Sequence, residues 1–285
     1  MITKILITVM TYPSLSTKYF ETVCTAGFRE DGTWIRIFPV PHRLLNAQQN
    51  KKYHKWQWIE VDLQKNSKDK RPESYHIVNI DTLKVLDRFE PSGKPLWGMR
   101  YDYVRKGKLI YKDMGRLIDL AHSNDLSLAV LKPKEILDVT VERIDIQPMQ
   151  AKRKELEKEF KERQKQLELF PDQVDYAYNF KFAETIPYKF SYRFTTEDGK
   201  ERKLLIEDWE IGMLYRNCMT QDKDEKIACE KVRQKYLDFA KRDLLFFVGT
   251  HYTWHMLKSP DPFLIIGLFP SPKGTFEQGR QLSLF

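Results

Sequence analysis

ETVCTAGFREDGTWIRIF, residues 21–38, has a run of β-branched and aromatic residues on each side of Asp31-Gly32. Such runs favour β-strands, and an Asp-Gly pair between them is typical of a tight hairpin turn. Similar runs occur elsewhere in the first half: KILITVMT from Lys4, WQWIEVDLQ from Trp56 and ILDVTVERIDI from Ile136. We therefore expect residues 1–149 to form a β-rich domain with short helices inserted at 42–49 and 114–122.

A charged connecting helix is predicted for residues 150–170. QAKRKELEKEFKERQKQLEL contains neither Gly nor Pro, and most of its residues are strong helix formers. Glu157 and Lys161 are four residues apart, which is the spacing of a favourable pair on a helix surface. Pro171 then ends the helix and marks a domain boundary.

A second α+β domain is expected over residues 171–270. An Asp-Gly pair at 198–199 predicts another hairpin, and helical patterns cover 209–219 and 224–243. LLFFVGTHYTW and PFLIIGLF are apolar enough to be buried strands. The last segment, 271–285, opens with Pro and Gly and has no core periodicity, so it predicts a flexible tail.

Composition indicates which kind of partner the protein binds and where in the cell it is found. The apolar runs of this 285-residue chain are far shorter than the roughly 20 residues that a membrane helix needs, so we expect no membrane. Cys24, Cys218 and Cys229 lack CxxC spacing, which argues against a disulfide framework or zinc knuckle and favours the cytoplasm. A formal net charge of +8 favours a polyanionic partner, DNA or RNA.

The last five residues resemble a known docking peptide. Gln281, Leu282, Ser283, Leu284 and Phe285 match, position by position, the motif by which bacterial polymerases and repair proteins bind the DNA sliding clamp. The resemblance implies that the leucine and phenylalanine anchor the peptide in an apolar pocket, while the glutamine sets its register. The alternative is a terminal segment that docks on its own domain.

A second copy of the pattern, QLELF, lies inside the chain at Gln166 to Phe170. Here a structural explanation is stronger, because Leu156, Phe160 and Leu167 have the spacing of an apolar helix stripe. We therefore leave open whether this internal copy also binds the clamp.

The strand predicted at 33–38 alternates two isoleucines with larger side chains. If the isoleucines face inward, the outer face carries Trp34, Arg36 and Phe38. An aromatic-Arg-aromatic row can stack on bases and pair with phosphates, as single-strand-binding β-barrels do. The alternative is that the aromatic residues fill the core and that Arg36 lies along it.

Two further stretches are candidates for the same surface. Trp56 and Trp58 alternate with apolar residues, although acidic neighbours on their face would repel a nucleic-acid backbone. Residues 188–194 alternate aromatic residues with Lys189 and Arg193, which predicts an aromatic core face and a basic outer face.

The arrangement of the first domain, including TYPSLSTKYFETVCTAGFREDGTWIRIFPVPHR at residues 11–43, resembles prokaryotic proteins described as dual OB-containing. This resemblance implies two small OB-like barrels with inserted helices and a nucleic-acid-binding role. The predicted fold class is therefore mainly β with inserted helices (α+β).

No catalytic motif emerges from the sequence, and no cofactor is expected, because the phosphate-loop, GxGxxG and GxSxG patterns are all missing. His251, His255 and Asp261 are weak candidates for a metal site. The carboxylates Glu207, Asp208 and Glu210 could hold magnesium, but a position at a helix start gives them simpler capping roles.

The leading hypothesis is a nucleic-acid-binding protein recruited to DNA by its terminal clamp-binding peptide, in replication, repair or genome defence. One alternative is a metal-dependent nuclease or nucleotide-modifying enzyme of a mobile-element or defence system. Another is a protein-only clamp adaptor or inhibitor, which would lack salt-sensitive affinity for DNA.

Overall fold

The computed structural model describes residues 1–42, 51–90, 96–168 and 181–277. It is mainly β with inserted helices, which confirms the predicted α+β class. Six strands form its first part: β1 Ile2–Met10, β2 Ser14–Ser16, β3 Phe20–Arg29, β4 Trp34–Pro41, β5 Gln57–Lys65 and β6 Ser74–Arg88.

Five of these strands close into a barrel. β1 pairs with both β3 and β5, β3 pairs with β4, and β5 pairs with β6, all antiparallel. β4 and β6 complete the ring as a parallel pair. These pairings close a five-stranded barrel in the order β1-β3-β4-β6-β5.

Alternating apolar residues explain why these strands close around a core. The barrel interior is filled mainly by β-branched and leucine side chains from alternate positions: Ile5, Ile7, Val23, Ile35, Ile37, Ile59, Val61 and Leu63. Gly27 of β3 lies so close to β1 that an added Cβ would overlap the carbonyl oxygen of Leu6. Glycine at this position therefore permits the close approach of the two strands.

The rest of the described chain builds two more sheets and six helices. The helices are α1 Leu96–Arg105, α2 Met114–His122, α3 Gln147–Glu168, α4 Trp209–Asp222, α5 Glu225–Phe239 and α6 Tyr252–Met256. The strands are β7 Ile110–Tyr111, β8 Leu128–Leu131, β9 Glu135–Arg143, β10 Tyr188–Thr195, β11 Glu201–Leu205, β12 Asp243–Thr250 and β13 Phe263–Ser271.

The second part differs from the expected second barrel. Its strands form a three-stranded sheet, in the order β11-β10-β9, and a four-stranded sheet, in the order β13-β12-β8-β7. A bridge between Ile206 and Ile265 joins the two sheets. Aromatic residues of β10 and β12 pack between these sheets and the helices α2, α4 and α5.

Strand pairing changes near residue 106, not at the boundary expected at 149. β8 pairs with β12, and β9 pairs with β10, so both strands belong with the second part of the chain. The sequence pattern identified β9 as a strand but not its partner, because β9 pairs with residues that lie 45 to 60 positions further along the chain.

Most predicted local elements are present. The hairpins at Asp31-Gly32 and 198–199 join antiparallel strands. Helices form at Met114–His122 and Gln147–Glu168, and Leu156 and Phe160 of α3 pack against Phe20 of the barrel. The helix predicted at 42–49 lies almost wholly outside the described residues.

Part of the expected flexible tail is packed on the body. The backbone nitrogen of Phe276 donates to the carboxylate of Asp243 over 3.0 Å, and the ring stacks on Tyr101 at 4.7 Å between centroids. Residues 278–285 lie outside the described part of the chain. Within the described residues, no helix has the length and apolarity needed to cross a membrane.

The barrel rests on the four-stranded sheet through an aromatic contact. Phe28 and Trp34, on the outer face of the barrel, pack edge-on against Phe247 of β12, with centroid distances of 6.0 and 5.6 Å. Edge-to-face packing of this kind adds to the free energy gained by burying the rings.

Arg36 supplies the polar part of the same interface. It is 2% exposed and donates through Nη1 to the hydroxyls of Ser127, at 2.7 Å, and Ser74, at 3.1 Å. Its Nη2 donates to the carbonyl oxygen of Ser127. Ser127 in turn donates its Oγ–H to Glu73 over 2.6 Å, so that a buried polar network joins the barrel to the sheet.

We predict that Arg36→Met lowers the free energy of unfolding by about 1.5–3 kcal/mol, because buried serine groups lose a charged hydrogen-bond partner. Urea unfolding at neutral pH measures this. The matched control is Arg88→Met, since that side chain is 54% exposed and its loss should change stability by less than about 0.5 kcal/mol. Equal effects of the two substitutions would contradict the role given to Arg36.

Candidate nucleic-acid interface and adjoining cavity

The predicted aromatic-Arg-aromatic row is not an exposed surface. Ile35 and Ile37 do face the barrel interior, but Trp34 is only 7% exposed and Arg36 only 2%. The four-stranded sheet covers this outer face of β4, which the strand's own alternation cannot reveal. Phe38, further along the same strand, is half-buried.

A groove of about 570 Å³ opens at Phe38, and we call it the barrel groove. It is lined by Lys18, Tyr19, Phe38, Pro39, Asn66, Ser67, Lys68, Asp69, Arg71, His76, Ile77 and Tyr252. These residues come from the segment before β3, from β4, from the β5–β6 loop, from β6 and from α6.

Hydrogen bonds hold the β5–β6 loop in shape. The Oδ1 atom of Asn66 accepts from the backbone nitrogens of Lys68, at 3.1 Å, and Asp69, at 3.2 Å. Asp69 then accepts two bonds from the guanidinium of Arg71, at 2.9 and 2.6 Å. The loop therefore presents its basic residues in a defined arrangement before any ligand binds.

Arg71 connects the loop to the second part of the chain. Its Nη1 donates to the carbonyl oxygen of Thr250, and its guanidinium lies 5.5 Å from the centroid of the Tyr252 ring. The Tyr252 hydroxyl donates to the carbonyl oxygen of Lys68 over 3.2 Å. These contacts bring α6 to the rim of the barrel groove.

Aromatic and basic side chains both occur at this rim. Tyr252 is 43% exposed and Trp254, also on α6, is 39% exposed. Lys18 and Lys68 are exposed, and the Nζ of Lys18 lies 5.0 Å from the centroid of the Tyr19 ring. Exposed rings beside cations are suited to base stacking combined with phosphate pairing.

A cavity of about 450 Å³ adjoins the barrel groove, with which it shares Phe38, Arg71 and Tyr252. We call it the inter-unit cavity, because the barrel and the second part of the chain both line it. Most of its walls are apolar, from Ile186, Phe190, Leu205, Ile206, Ile211, Leu264 and Ile266. Its polar lining includes Cys24, Arg36, Lys189, Glu207, Thr250 and His251.

Electrostatics within the inter-unit cavity are governed by burial. Burial raises the pKa of the Glu207 carboxyl, although nearby Lys189 opposes the shift. Burial likewise raises the pKa of the Cys24 thiol, so a reactive thiolate is disfavoured at neutral pH. Burial together with Arg71 lowers the pKa of Arg36 to about 10, which leaves it charged at neutral pH.

The two predicted tryptophans lie elsewhere. Trp56 is half-buried under the guanidinium of Arg100, 4.8 Å from its ring centroid. Trp58 packs edge-on against Tyr103 at 5.7 Å. Both contacts are with α1, so neither ring lines the barrel groove.

The second basic stretch folds as predicted. Phe190, Tyr192 and Phe194 are buried, while Lys189 is exposed at the inter-unit cavity. Arg193 forms an ion pair with Glu201 of the neighbouring strand β11 at 2.7 Å, and it does not line the inter-unit cavity. The structure thus brings Lys189, but not Arg193, to the candidate site.

The candidate metal ligands do not assemble. No group of three or more His, Cys, Asp or Glu side chains with metal-binding geometry occurs in the described residues. His255 is buried, and its Nε2 is 2.8 Å from the Oδ1 of Asn124. His251 is exposed, and its ring packs against Trp254 in a tilted arrangement, with 4.7 Å between centroids. Burial raises the pKa of Asp261 to about 6.

Two of the three candidate magnesium carboxylates, Asp208 and Glu210, share a lysine instead. Asp208 caps α4, and its Oδ1 lies 2.5 Å from the Nζ of Lys55. Glu210 binds the same lysine at 3.1 Å. Asp208 and Glu207 both line the inter-unit cavity. Glu207 donates its backbone N–H to the carbonyl oxygen of Ile265, and its side chain has no hydrogen bond or ion pair among the described residues.

The terminal copy of the clamp-like motif and the end of the internal copy lie outside the described residues. Residues 281–285 lie outside the described part of the chain, as do Leu169 and Phe170. Gln166 to Glu168 fall at the end of α3.

Sequence reasoning missed Tyr19, Lys68, Arg71 and Tyr252. A usable signal existed for two of them, because KNSKDKRP at residues 65–72 is a basic loop between two strand-like runs. Tyr252 had no such signal, since only the packing of α6 against that loop makes it part of the groove.

Two family models match the chain. The model described as Domain of unknown function (DUF8758) matches residues 1–106, which contain the barrel and α1. The model described as Domain of unknown function (DUF8757) matches residues 112–285, more than half of the chain. The junction between the matches lies between α1 and α2, close to where strand pairing changes. A search of the curated proteins found no match.

The surroundings of His255 predict a pH dependence of stability. Burial, with Arg71 and Arg36, lowers its pKa from 6.5 to about 4. Above pH 6.5 the imidazole is neutral in both states. As pH falls from about 6.5 toward about 4, the unfolded state takes up the proton first, and stability is lost.

Urea unfolding at neutral pH and near pH 5 should therefore show a smaller loss of stability in His255→Gln than in the unaltered protein. The difference between the two proteins in stability lost from neutral pH to pH 5 isolates His255 from other titrating groups. Equal losses of stability in the two proteins would mean that the folded state does not hold the histidine neutral.

Proposed function

We propose that the chain, which belongs to the family described as Domain of unknown function (DUF8757), binds single-stranded nucleic acid in the barrel groove. We further propose that residues 281–285 recruit it to DNA through the bacterial sliding clamp. The observation that carries the proposal is the combination of aromatic and basic side chains around one groove of the five-stranded barrel, which we propose is an OB-like barrel.

Stacking provides the sequence-independent part of binding. Phe38, Tyr19 and Tyr252 line the groove at its strand, loop and helix sides, and every base has a π-face that such rings accept. A flexible single strand can follow these separate rings, whereas a duplex would have to lose its own stacking to reach them. Single strands are therefore favoured over duplexes.

Charge provides the rest of the affinity. Lys18 and Lys68 are exposed beside the rings, and the net charge of +8 attracts a polyanion over the whole surface. Three free cysteines are compatible with a reducing cytoplasm, where DNA and the clamp are found in bacteria.

The terminal peptide would serve as a tether. A groove that binds through stacking and charge alone has modest affinity for nucleic acid and little selectivity for any one site on the chromosome. Attachment to the clamp raises the local concentration of the groove at DNA under synthesis or repair. The clamp interaction and the groove therefore have separate roles, which separate experiments can test.

Substitutions in the groove test the first role. Tyr252→Ala should weaken binding of a labelled oligothymidine by roughly 5- to 100-fold, the equivalent of one lost stacked base, measured by fluorescence anisotropy. Ile227→Ala is the control, because Ile227 is a comparably exposed side chain at 48% and lies on α5.

A charge reversal tests the electrostatic part of binding. Lys68→Glu should lower the salt dependence of oligothymidine binding, whereas Lys241→Glu should leave it nearly unchanged.

Unchanged affinity in Tyr252→Ala and Lys68→Glu would overturn the assignment of the barrel groove. If the unaltered protein binds no oligonucleotide at low salt, nucleic-acid binding itself is wrong. The protein-only adaptor then becomes the better reading, provided that the clamp still binds.

Calorimetry with purified bacterial sliding clamp tests the second role. The double substitution Leu284→Ala, Phe285→Ala should abolish most of the affinity, because two anchor side chains carry most of the energy of a short docking peptide. Leu169→Ala with Phe170→Ala is the matched control for the internal copy. Binding that survives the terminal substitution but not the internal one would move the docking site to the internal motif.

A further inference from the structure

Thr250 and Glu207 line the inter-unit cavity, and neither side chain has a described hydrogen-bond partner. Thr250 is 4% exposed, and its Oγ1 atom has no hydrogen-bond partner among the described residues. The carboxylate of Glu207 is partly buried and likewise accepts no described hydrogen bond. Buried polar groups in proteins are normally paired, so unpaired groups in a cavity indicate a ligand that completes them.

We infer that the inter-unit cavity receives one nucleobase from a strand held in the barrel groove, and that it prefers guanine. This inference rests on the proposed nucleic-acid binding and extends it to base selection. Guanine is the standard base whose Watson–Crick edge carries two adjacent donors, N1–H and the N2 amino group. A carboxylate with two free oxygens matches that pair of donors.

The walls of the cavity favour a base over a phosphate. Seven of the lining residues given above are large and apolar, which suits the face of a planar base. A phosphate would meet the Glu207 carboxylate, and the arginines at the cavity are already engaged: Arg36 binds Ser127 and Ser74, and Arg71 binds Asp69. The remaining cation of the lining, Lys189, lies near Glu207 and favours its charged form. The cavity volume of about 450 Å³ lies within the usual range for small-ligand sites, about 300–1,000 Å³.

A path for the base exists between the two sites. Phe38, Arg71 and Tyr252 line both the barrel groove and the inter-unit cavity, so a nucleotide stacked at Tyr252 is next to the cavity mouth. Gly249 lines the cavity without a side chain, and an added Cβ would lie 2.8 Å from Ile266 Cδ1. A single-stranded nucleotide can turn its base out of the stack at little cost, since no base pair is broken.

The test compares an oligothymidine with the same strand carrying one central guanine or one central inosine, which lacks the N2 amino group. Guanine should raise affinity roughly fivefold or more, the discrimination of one good bidentate contact, and inosine should lose most of that gain. Glu207→Gln should remove the preference for guanine while leaving oligothymidine affinity unchanged. Glu210→Gln, the same change outside the cavity, should keep the preference.

Free guanosine provides a second readout. It should compete with the guanine strand and not with the oligothymidine, and thermal unfolding of each variant shows that it is folded. Equal affinity for all three strands, with groove binding intact, would overturn the base pocket but leave the proposed function standing. Failure of every strand to bind would overturn both.

Discussion

The contact between the barrel and the four-stranded sheet is the constraint on which the rest of the structure depends. Phe28, Trp34 and Phe247 form its apolar part, while Arg36 and Ser127 form its polar part. The apolar part excludes water, and the polar part requires a particular alignment, because a buried guanidinium must find its acceptors. Together they hold two units that belong to separate family models in one arrangement.

The candidate sites are consequences of that arrangement. Arg71 belongs to the barrel, yet it donates to the carbonyl oxygen of Thr250 and lies against Tyr252. Without the interface, the barrel groove would lose its helix side, and the inter-unit cavity would lose a wall. The barrel alone offers its strands and loops to the groove. The second unit adds exposed rings from α6 and an unpaired carboxylate, Glu207, which a barrel alone lacks.

Basic residues have two different roles in this protein. Arg36 and Arg71 are buried and hydrogen-bonded, so their charges mainly organise the interface. Lys18 and Lys68 are exposed and without comparable partners in the described hydrogen-bond network, and such lysines are available to phosphates. Net charge alone could not separate these roles. The charge of +8 suggests a polyanion, but only burial shows which cations are available to bind one.

The sequence by itself determined the local structure: strand alternation, with Ile35 and Ile37 facing inward, the two Asp-Gly hairpins, most helices and the α+β class. These features depend on neighbouring residues, so periodicity and turn chemistry reveal them. The tertiary structure decided which face of β4 meets solvent, which strands pair with β9, and which side chains share a site. Alternation defines two faces of a strand, but not whether another layer covers one of them. Arg71 and Tyr252 are brought together by packing between units, and no local pattern records a contact between residues so far apart in sequence.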